Sequence, residues 1–439
     1  MKVFKSYSFE EENLIERELC ELFPAEWLRN KARDTGLIKR ERKIDPVVIF
    51  WVLAIGYGTF FQRTLAGLKR NYERASKQIL SDSSWYYRFT PELVAFLHEC
   101  VARGMEYMSQ EPSRTLSDRL SPFKDVLIQD NTIVRLHEKL SQVWPATRSR
   151  KVAAGVKVAV LTSAIANGPK SVALFAESTN DLKTLKIGPW VKDRILLIDL
   201  GFYKYHAFTR IKENGGYFVS SLKSNANQLI IDTNRAYRGR SIDIRGKYLQ
   251  DVLKNLKRQV LDAEVEIEFN RRAYRGKEKK DSERFRLVAV YNEDEDKYHL
   301  YITNLSPDLL EPEEVARLYA ARWEVEILFK ELKSKYALDI IPTSNPQVIE
   351  AFIWIAILTL IISRRIYTII RRRNPEAKMV RFTQLRWSNF FSENASQILN
   401  AVLSYLGASI SLMTSFEISL SEALDPHVNR RRFTEEWWT

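Results

Sequence analysis

Cysteine is nearly absent from this sequence. Its 439 residues hold two, Cys20 and Cys100, far apart and without ligand spacing. That excludes a disulfide framework and a cysteine-built zinc site, and it suits a reducing cytosol. Histidine is scarce too: five residues lie scattered, and His137 and His206 read as structural or surface groups. No Ser–His–Asp or Cys–His arrangement emerges, and no phosphate-cradling loop. Met1-Lys2-Val3-Phe4-Lys5-Ser6 runs straight into an acidic amphipathic stretch without a signal-peptide apolar core, so no secretory leader is expected. Long apolar runs are lacking as well. The most apolar window, Ala351 to Ser363, stops at Arg364 and Arg365. It is too short to cross a bilayer and reads as a buried helix, with no membrane partner implied. Internal repeats and long low-complexity segments are also missing.

What is present describes a sizeable globular chain. The length allows roughly two to four domains and a core that needs no staple. The apolar share of 45% and charged share of 28% are ordinary for a soluble protein. Lys and Arg number 68 against 55 Asp and Glu, a net charge of +13. That excess favours a polyanionic partner through phosphate contacts and counterion release, a weak signal by itself.

Residues 1–120 read as helical, with apolar positions at Leu14, Ile15, Leu19 and Leu22 at helical spacing. Pro46 suits a first helical position before the apolar run Val47 to Leu53. Basic and aromatic residues then interleave: Arg63, Lys69, Arg70, Tyr72, Arg74 and Lys77, followed by Trp85-Tyr86-Tyr87-Arg88-Phe89. This suits either a DNA-contacting helical module, with Arg63 or Lys69 meeting phosphate, or a helical domain with solvated cations.

From about 123 the texture becomes α/β. Val126 to Ile128, Gly155 to Leu161, Ser171 to Phe175, Ile195 to Ile198 and Gly216 to Leu222 are strand-like runs. A helix is expected around Leu182 to Val191. The order predicts a central mixed sheet. Residues 224–305 interrupt it with strand-like runs at Glu264 to Phe269, Phe285 to Tyr291 and Tyr298 to Thr303. They suggest an inserted β-rich subdomain, with a charged turn from Arg275 to Arg284. Helical pattern returns at Pro312 and fills 341–439, with late basic clusters at Arg371 to Arg373 and Arg430 to Arg432.

The sharpest chemical feature is a helix expected over Glu313 to Lys335. Tyr319, Arg322, Glu326 and Lys333 fall on one face of it, within an arc of roughly 60°, with Lys330 beside them. Leu318, Val325, Phe329 and Leu332 form the adjoining apolar stripe. A single Glu among cations is commonly a solvated salt-bridging face. Here two aspartates accompany it. Asp130 and Asp199 each follow a strand-like run, where a lone Asp is commonly a cap or turn residue. Asp130, Asp199 and Glu326 together supply three hard oxygen ligands, suited to Mg²⁺ or Mn²⁺ rather than zinc. Two such ions about 4 Å apart activate an attacking oxygen and stabilise a leaving one.

Tyr319, Arg322, Glu326 and Lys333 stand in the spacing Y-x2-R-x3-E-x6-K, which resembles the signature of the YREK transposases, the insertion-sequence-four family. Asp130-Asn131-Thr132 resembles that family's first aspartate block, and Asp199-Leu200-Gly201-Phe202-Tyr203 with Phe218 to Lys223 the second. The resemblance implies an RNase H-like catalytic domain over 121–340, carrying the β-rich insertion and flanked by helical regions. The N-terminal region would bind DNA. Asp130, Asp199 and Glu326 would hold two Mg²⁺ or Mn²⁺ ions, and Tyr319, Arg322, Lys330 and Lys333 would grip DNA phosphates. It further implies cut-and-paste chemistry on terminal inverted repeats and target DNA, through hairpin ends, in a homodimeric synaptic complex in a prokaryotic cytoplasm. One feature departs from some relatives, which hold a flipped base with a tryptophan of the insertion. None lies between 224 and 305, leaving Tyr274, Phe285 or Tyr291 to stack. Three alternatives stay open: a nuclease without strand transfer, an inactive transposase-derived DNA-binding protein, and a basic structural or RNA-binding protein.

Overall fold

The structure, a computed structural model, describes residues 13–408 except 41–43, 58, 60–63, 148–152, 224, 238–239, 242, 275–276, 340, 342 and 374–382. Arg63 and the Arg430 to Arg432 cluster therefore lie outside the described residues. The chain divides into two compact units, one drawn from 1–107 and 330–439, the other from 108–329.

The first unit is helical. Its N-terminal part contains α1 (Leu14–Leu22), α2 (Ala25–Asp34), α3 (Pro46–Trp51), α4 (Leu65–Ser76), α5 (Asp82–Tyr86) and most of α6 (Pro91–Gln110). Pro46 does open α3, and the Asp45 carboxylate caps it by accepting the Val47 amide at 2.8 Å. The helix continues as a π-helical turn through Tyr57, and every residue from Pro46 to Tyr57 is buried. The interleaved aromatic stretch splits by environment: Trp85 and Phe89 are buried, whereas Tyr86 and Tyr87 are exposed. Lys69 is largely covered, its ammonium 2.7 Å from Asp82 and 3.6 Å from Glu73, so its charge is already answered within the protein.

The second unit is a mixed α/β domain around one nine-stranded sheet. Its first strands are β1 (Asp125–Leu136), β2 (Ala154–Ser163), β3 (Gly168–Ala176), β4 (Arg194–Ile198) and β5 (Tyr217–Ser221), with α7 (Tyr205–Glu213) before β5. Then come β6 (Leu229–Thr233), a two-stranded ribbon of β7 (Ala236–Tyr237) and β8 (Arg240–Ser241), α8 (Leu249–Asn255), and the long strands β9 (Val260–Tyr274), β10 (Lys277–Asn292) and β11 (Lys297–Thr303). The spatial order is β3-β2-β1-β4-β5-β11-β10-β9-β6. β1 runs antiparallel to β2 but parallel to β4, and β4 is parallel to β5. α7 covers one face, its Phe208 ring stacked on Phe218 of β5 at 4.3 Å.

Three expectations change here. Apart from the small β7–β8 ribbon, the strands of the insertion do not form a sheet of their own. β11 pairs with β5, so they extend the central sheet and cover an edge that would otherwise expose unpaired backbone groups. The charged segment Arg275 to Arg284 is mostly strand, with Lys280 to Arg284 in register with Asn270 to Glu266. Residues 182–191 contain no α-helix, only short 3₁₀ turns at Asp181–Lys183 and Pro189–Val191. Gly188 and Pro189 explain this: the glycine backbone is extended, and proline cannot donate to a preceding turn.

The insertion also anchors the start of the next helix. Asp262 on β9 and Arg286 on β10 form a buried two-pronged ion pair, with bonds of 2.9 and 2.7 Å. Arg286 also donates to the carbonyls of Leu305 (3.3 Å) and Leu310 (2.8 Å). This pins the segment entering α9 (Pro312–Ala320), whose start is a reciprocal cap between Glu311 and Glu314. The chain then continues through α10 (Trp323–Ser334), α11 (Pro346–Arg373), α12 (Gln384–Glu393) and α13 (Ala395–Tyr405).

α11 is longer than its apolar window suggests. Its 28 residues are long and apolar enough to cross a membrane by length and composition. Here Val348–Ile349 and Ala351–Ile369 are buried within the helical unit. Phe352 stacks on Tyr57 with ring centres 3.9 Å apart, and the Thr359 hydroxyl donates to the Ala54 carbonyl at 2.6 Å. Arg364 and Arg365, which end the window in the sequence, are themselves buried.

Candidate active site

The carboxylates come together through strand register. The parallel ladder of β1 and β4 ends at Gln129 opposite Ile198. Asp130 and Asp199 are the next residues along the chain in each case, and neighbouring strands lie about 4.8 Å apart. Two aspartates thus stand side by side where the parallel β1–β4 ladder stops, at the end of a sheet where α/β folds open a crevice. The two sit differently. β1 does not end at Asp130, as the sequence suggests, but runs on to Leu136, with Asp130 opposite Val160 of β2. Asp199 does end its strand, and its side chain caps the following turn by accepting the Gly201 amide at 3.2 Å.

Glu326 arrives from α10. The single helix expected over 313–335 is two helices with a break at Ala321 and Arg322. Backbone bonds there run from Arg322 to Tyr319, Glu324 to Ala321 and Val325 to Arg322, each three residues back instead of four. No glycine or proline marks this break in the sequence. α10 is held from outside as well, because Arg114 donates to both carboxylate oxygens of Glu324 at 3.2 and 3.0 Å.

Arg322, at the break, joins the cluster. Its guanidinium is 2.6 Å from Glu326, 3.6 Å from Asp130 and 3.7 Å from Asp199. One cation therefore touches all three predicted carboxylates. Tyr319 reaches the neighbouring strand end, where its hydroxyl bonds Ser221 Oγ at 3.0 Å and its ring lies 5.3 Å from that of Tyr301. Lys330, exposed, and Lys333, half-buried, stand on later turns of α10, among residues of the helical unit. Among the possible stacking residues, Phe285 is buried in the core. The Tyr291 hydroxyl is bonded to Asp296. The side chain of Tyr274 lies outside the described residues.

The electrostatics are acidic despite Arg322, since three carboxylates face one guanidinium. The Asp130 carboxyl is pushed up to about 6, first by burial and then by Asp199 and Glu326, against the Asn131 amide and Arg322. Its folded pKa exceeds the ordinary 3.8, so the fold takes up a proton between about pH 4 and 6. The contribution of Asp130 to stability therefore falls as pH rises through that window. Among the described residues, no group of three acidic, histidine or cysteine side chains is arranged to hold a metal ion as it stands. The donor set is nonetheless all carboxylate, which fits Mg²⁺ or Mn²⁺ and leaves excess negative charge for a cation to balance.

The sequence pattern described as a transposase DDE domain matches residues 121–362, more than half of the chain. The chain belongs to the DDE transposase family. Membership makes it a DNA-modifying enzyme whose mechanism depends in general on metal ions. It is similar to the transposase for insertion sequence element IS231F of Bacillus thuringiensis subsp. israelensis, 23% identical over 77% of this chain and 76% of that protein. The transposase for insertion sequence element IS1151 of Clostridium perfringens is 21% identical over 80% of each. A solved piggyBac transposase synaptic complex with hairpin DNA aligns over 96% of this chain and 88% of its own, at 12% identity. The TM-score is 0.44, too loose a likeness to bear on the fold.

Sequence reading misses the partners rather than the cluster. Ser221 and Asn131 stand inside the two blocks that resemble the family's aspartate regions, but nothing marks them as hydrogen-bonded. Asp181, Lys157 and Tyr301 carry no signal in the sequence at all.

Proposed function

We propose that this DDE transposase belongs to the YREK group and cuts insertion-sequence ends and joins them to target DNA by cut-and-paste. The observation that carries this reading is the register placing Asp130 beside Asp199 with Glu326 joined to both through Arg322. The catalytic domain is RNase H-like. Three antiparallel strands and then two parallel ones, in the order β3-β2-β1-β4-β5, support that assignment.

Asp130, Asp199 and Glu326 hold two Mg²⁺ or Mn²⁺ ions. When bound, these ions lower the pKa of an attacking water or 3′-hydroxyl and stabilise the leaving oxygen. The protein's own residues orient the phosphodiester. Arg322 carries a forked donor set that matches phosphate oxygens. Tyr319 holds the end of β5 through Ser221, and Lys330 and Lys333 of α10 are assigned to DNA phosphates. The substrate is double-stranded DNA bearing terminal repeats, bound in part by the N-terminal helices and brought together in a dimer, with hairpin ends. The setting is the prokaryotic cytoplasm.

The test is incubation with DNA carrying the flanks of its own gene, in Mg²⁺ or Mn²⁺, with and without a target duplex. Metal-dependent cuts at the repeat ends and joined products are expected. Cuts without joined products would leave a nuclease, and binding without cuts an inactive relative. Products that stay open on denaturing gels would remove the hairpin step.

The raised Asp130 carboxyl makes metal binding sensitive to pH. Divalent ions must displace its proton, so half-saturating Mn²⁺ is expected to rise as pH falls below about 6. A Mn²⁺ titration that is flat between about pH 5 and pH 8 would show that Mn²⁺ displaces no proton from Asp130 in that range.

A further inference from the structure

We propose that Asp181, held by Lys157, is a positioning residue that sets the separation of Asp130 and Asp199 beyond the end of the β1–β4 ladder. It acts through Asn131 on one side and the Gly201 turn on the other. The inference rests on reading Asp130 and Asp199 as metal ligands.

Lys157 lies on β2 and is buried. Its ammonium donates to Asp181 Oδ1 at 2.6 Å and to the Thr179 carbonyl. A buried ammonium is costly unless it is paired and hydrogen-bonded, so this contact is strongly enforced. The same Asp181 oxygen accepts the Asn131 side-chain amide at 2.8 Å. Asn131 in turn accepts the Thr184 hydroxyl at 3.2 Å, and its backbone N–H donates to Asp130 Oδ1 at 2.7 Å. Asp181 thereby grips the residue whose amide holds the first aspartate.

On its other side Asp181 abuts the turn that holds the second. A Cβ at Gly201 would lie 3.2 Å from Asp181 Oδ2 and 3.8 Å from Asp199 Oδ2. The Gly201 amide is the group that Asp199 caps. A Cβ at 201 would crowd Asp181 while only touching Asp199, so glycine permits the close approach of Asp181 to this turn.

The need for such a brace comes from the ladder. Backbone pairing fixes β1 against β4 only as far as Gln129 and Ile198. Asp130 and Asp199 lie just beyond it and repel each other. Asp181 joins the Asn131 side chain to Lys157 of β2 by hydrogen bonds and packs against the Gly201 turn. It is not itself a free ligand, because its Oδ1 already serves two donors.

The experiment is Mn²⁺ binding to the full chain without DNA, read from the electron paramagnetic resonance signal of free Mn²⁺, with melting temperature recorded alongside. Loss of an outer partner typically weakens metal affinity by about 10- to 100-fold. A shift of that order is expected for Asp181→Ala. Asp181→Asn, which keeps an acceptor for both donors, is expected to restore most of it. Asn131→Ala leaves the Lys157–Asp181 pair intact and is expected to weaken Mn²⁺ similarly with little change in melting. It carries the test if Asp181→Ala does not fold. Wild-type Mn²⁺ midpoints in Asn131→Ala and Asp181→Ala would overturn the proposal. Asp199→Ala separates the two failures: if it also binds normally, the ligand reading itself is wrong. If it alone loses Mn²⁺, only the brace is.

Discussion

Replacing Asp199 by alanine is expected to slow cleavage of element ends by roughly 10⁴-fold, a size typical for loss of a group that acts as part of a unit. DNA binding should stay near wild type. Asp199 is partly exposed and its folding role is one cap bond to Gly201, worth about 1 kcal/mol. On the proposed function its chemical role is larger, because it lies beside Asp130 just beyond the end of the ladder. Asp199→Asn sharpens the comparison, since the amide oxygen keeps the cap bond while the charge is lost. Both variants should be equally inactive in single-turnover assays, with melting temperatures close to the parent. Cleavage by Asp199→Asn within tenfold of wild type would remove the Asp199 charge from the centre. Arg322→Ala should behave differently. It removes a cation that contacts all three carboxylates and should tighten Mn²⁺ while weakening the grip on DNA.

The second large effect concerns stability. Glu331 on α10 and Arg364 on α11 form a fully buried pair 2.5 Å apart. The Tyr336 hydroxyl lies 3.0 Å from Glu331 and 2.7 Å from Ser363, and the Trp387 indole donates to Ser363 Oγ at 3.0 Å. One polar network thus links α10, α11 and α12 inside an apolar unit. Burial pushes the Glu331 carboxyl up, and Arg364 holds it down. Arg364→Leu strands that carboxyl and should destabilise the helical unit by about 3–5 kcal/mol. The double variant Arg364→Leu with Glu331→Leu should recover a substantial part, because neither charge is then buried alone. Urea unfolding monitored by tryptophan fluorescence measures both. Single and double variants that unfold together, at the wild-type midpoint, would show that the pair contributes nothing.

The site's ingredients are legible in the sequence, and its geometry is not. Asp130, Asp199 and Glu326 stand out as carboxylates after strand-like runs or on an amphipathic helix, because strand and helix periods are local properties. The pairing of Gln129 with Ile198 is tertiary, and no local pattern specifies it. The helix break at Arg322 has no glycine or proline to announce it, so a continuous helix is the natural reading. The absent helix at 182–191 does have its signal, in Gly188-Pro189. The insertion's strands are recognisable one by one. Their continuation of the central sheet depends on β11 meeting β5, which again is a matter of register. α11 looks short because a charged residue in a sequence reads as exposed, whereas Arg364 is buried against Glu331.

The helical unit takes its residues from both ends of the chain, and the sheet unit takes its own from one continuous run. A ribosome releases the chain from its N-terminus, so this division sets the order of completion. The sheet, with all three carboxylates, has every residue in hand by Phe329. In the apolar stretch Pro46 to Tyr57, Phe50 packs on Phe23 and Phe96 of the N-terminal part, whereas Ala54 and Tyr57 wait for Thr359 and Phe352 of α11 to emerge. Until then that side of the stretch lacks its cover, and exposed apolar surface is what chaperones and proteases recognise. A chain stopped before residue 346 would carry all three carboxylates without a finished helical unit.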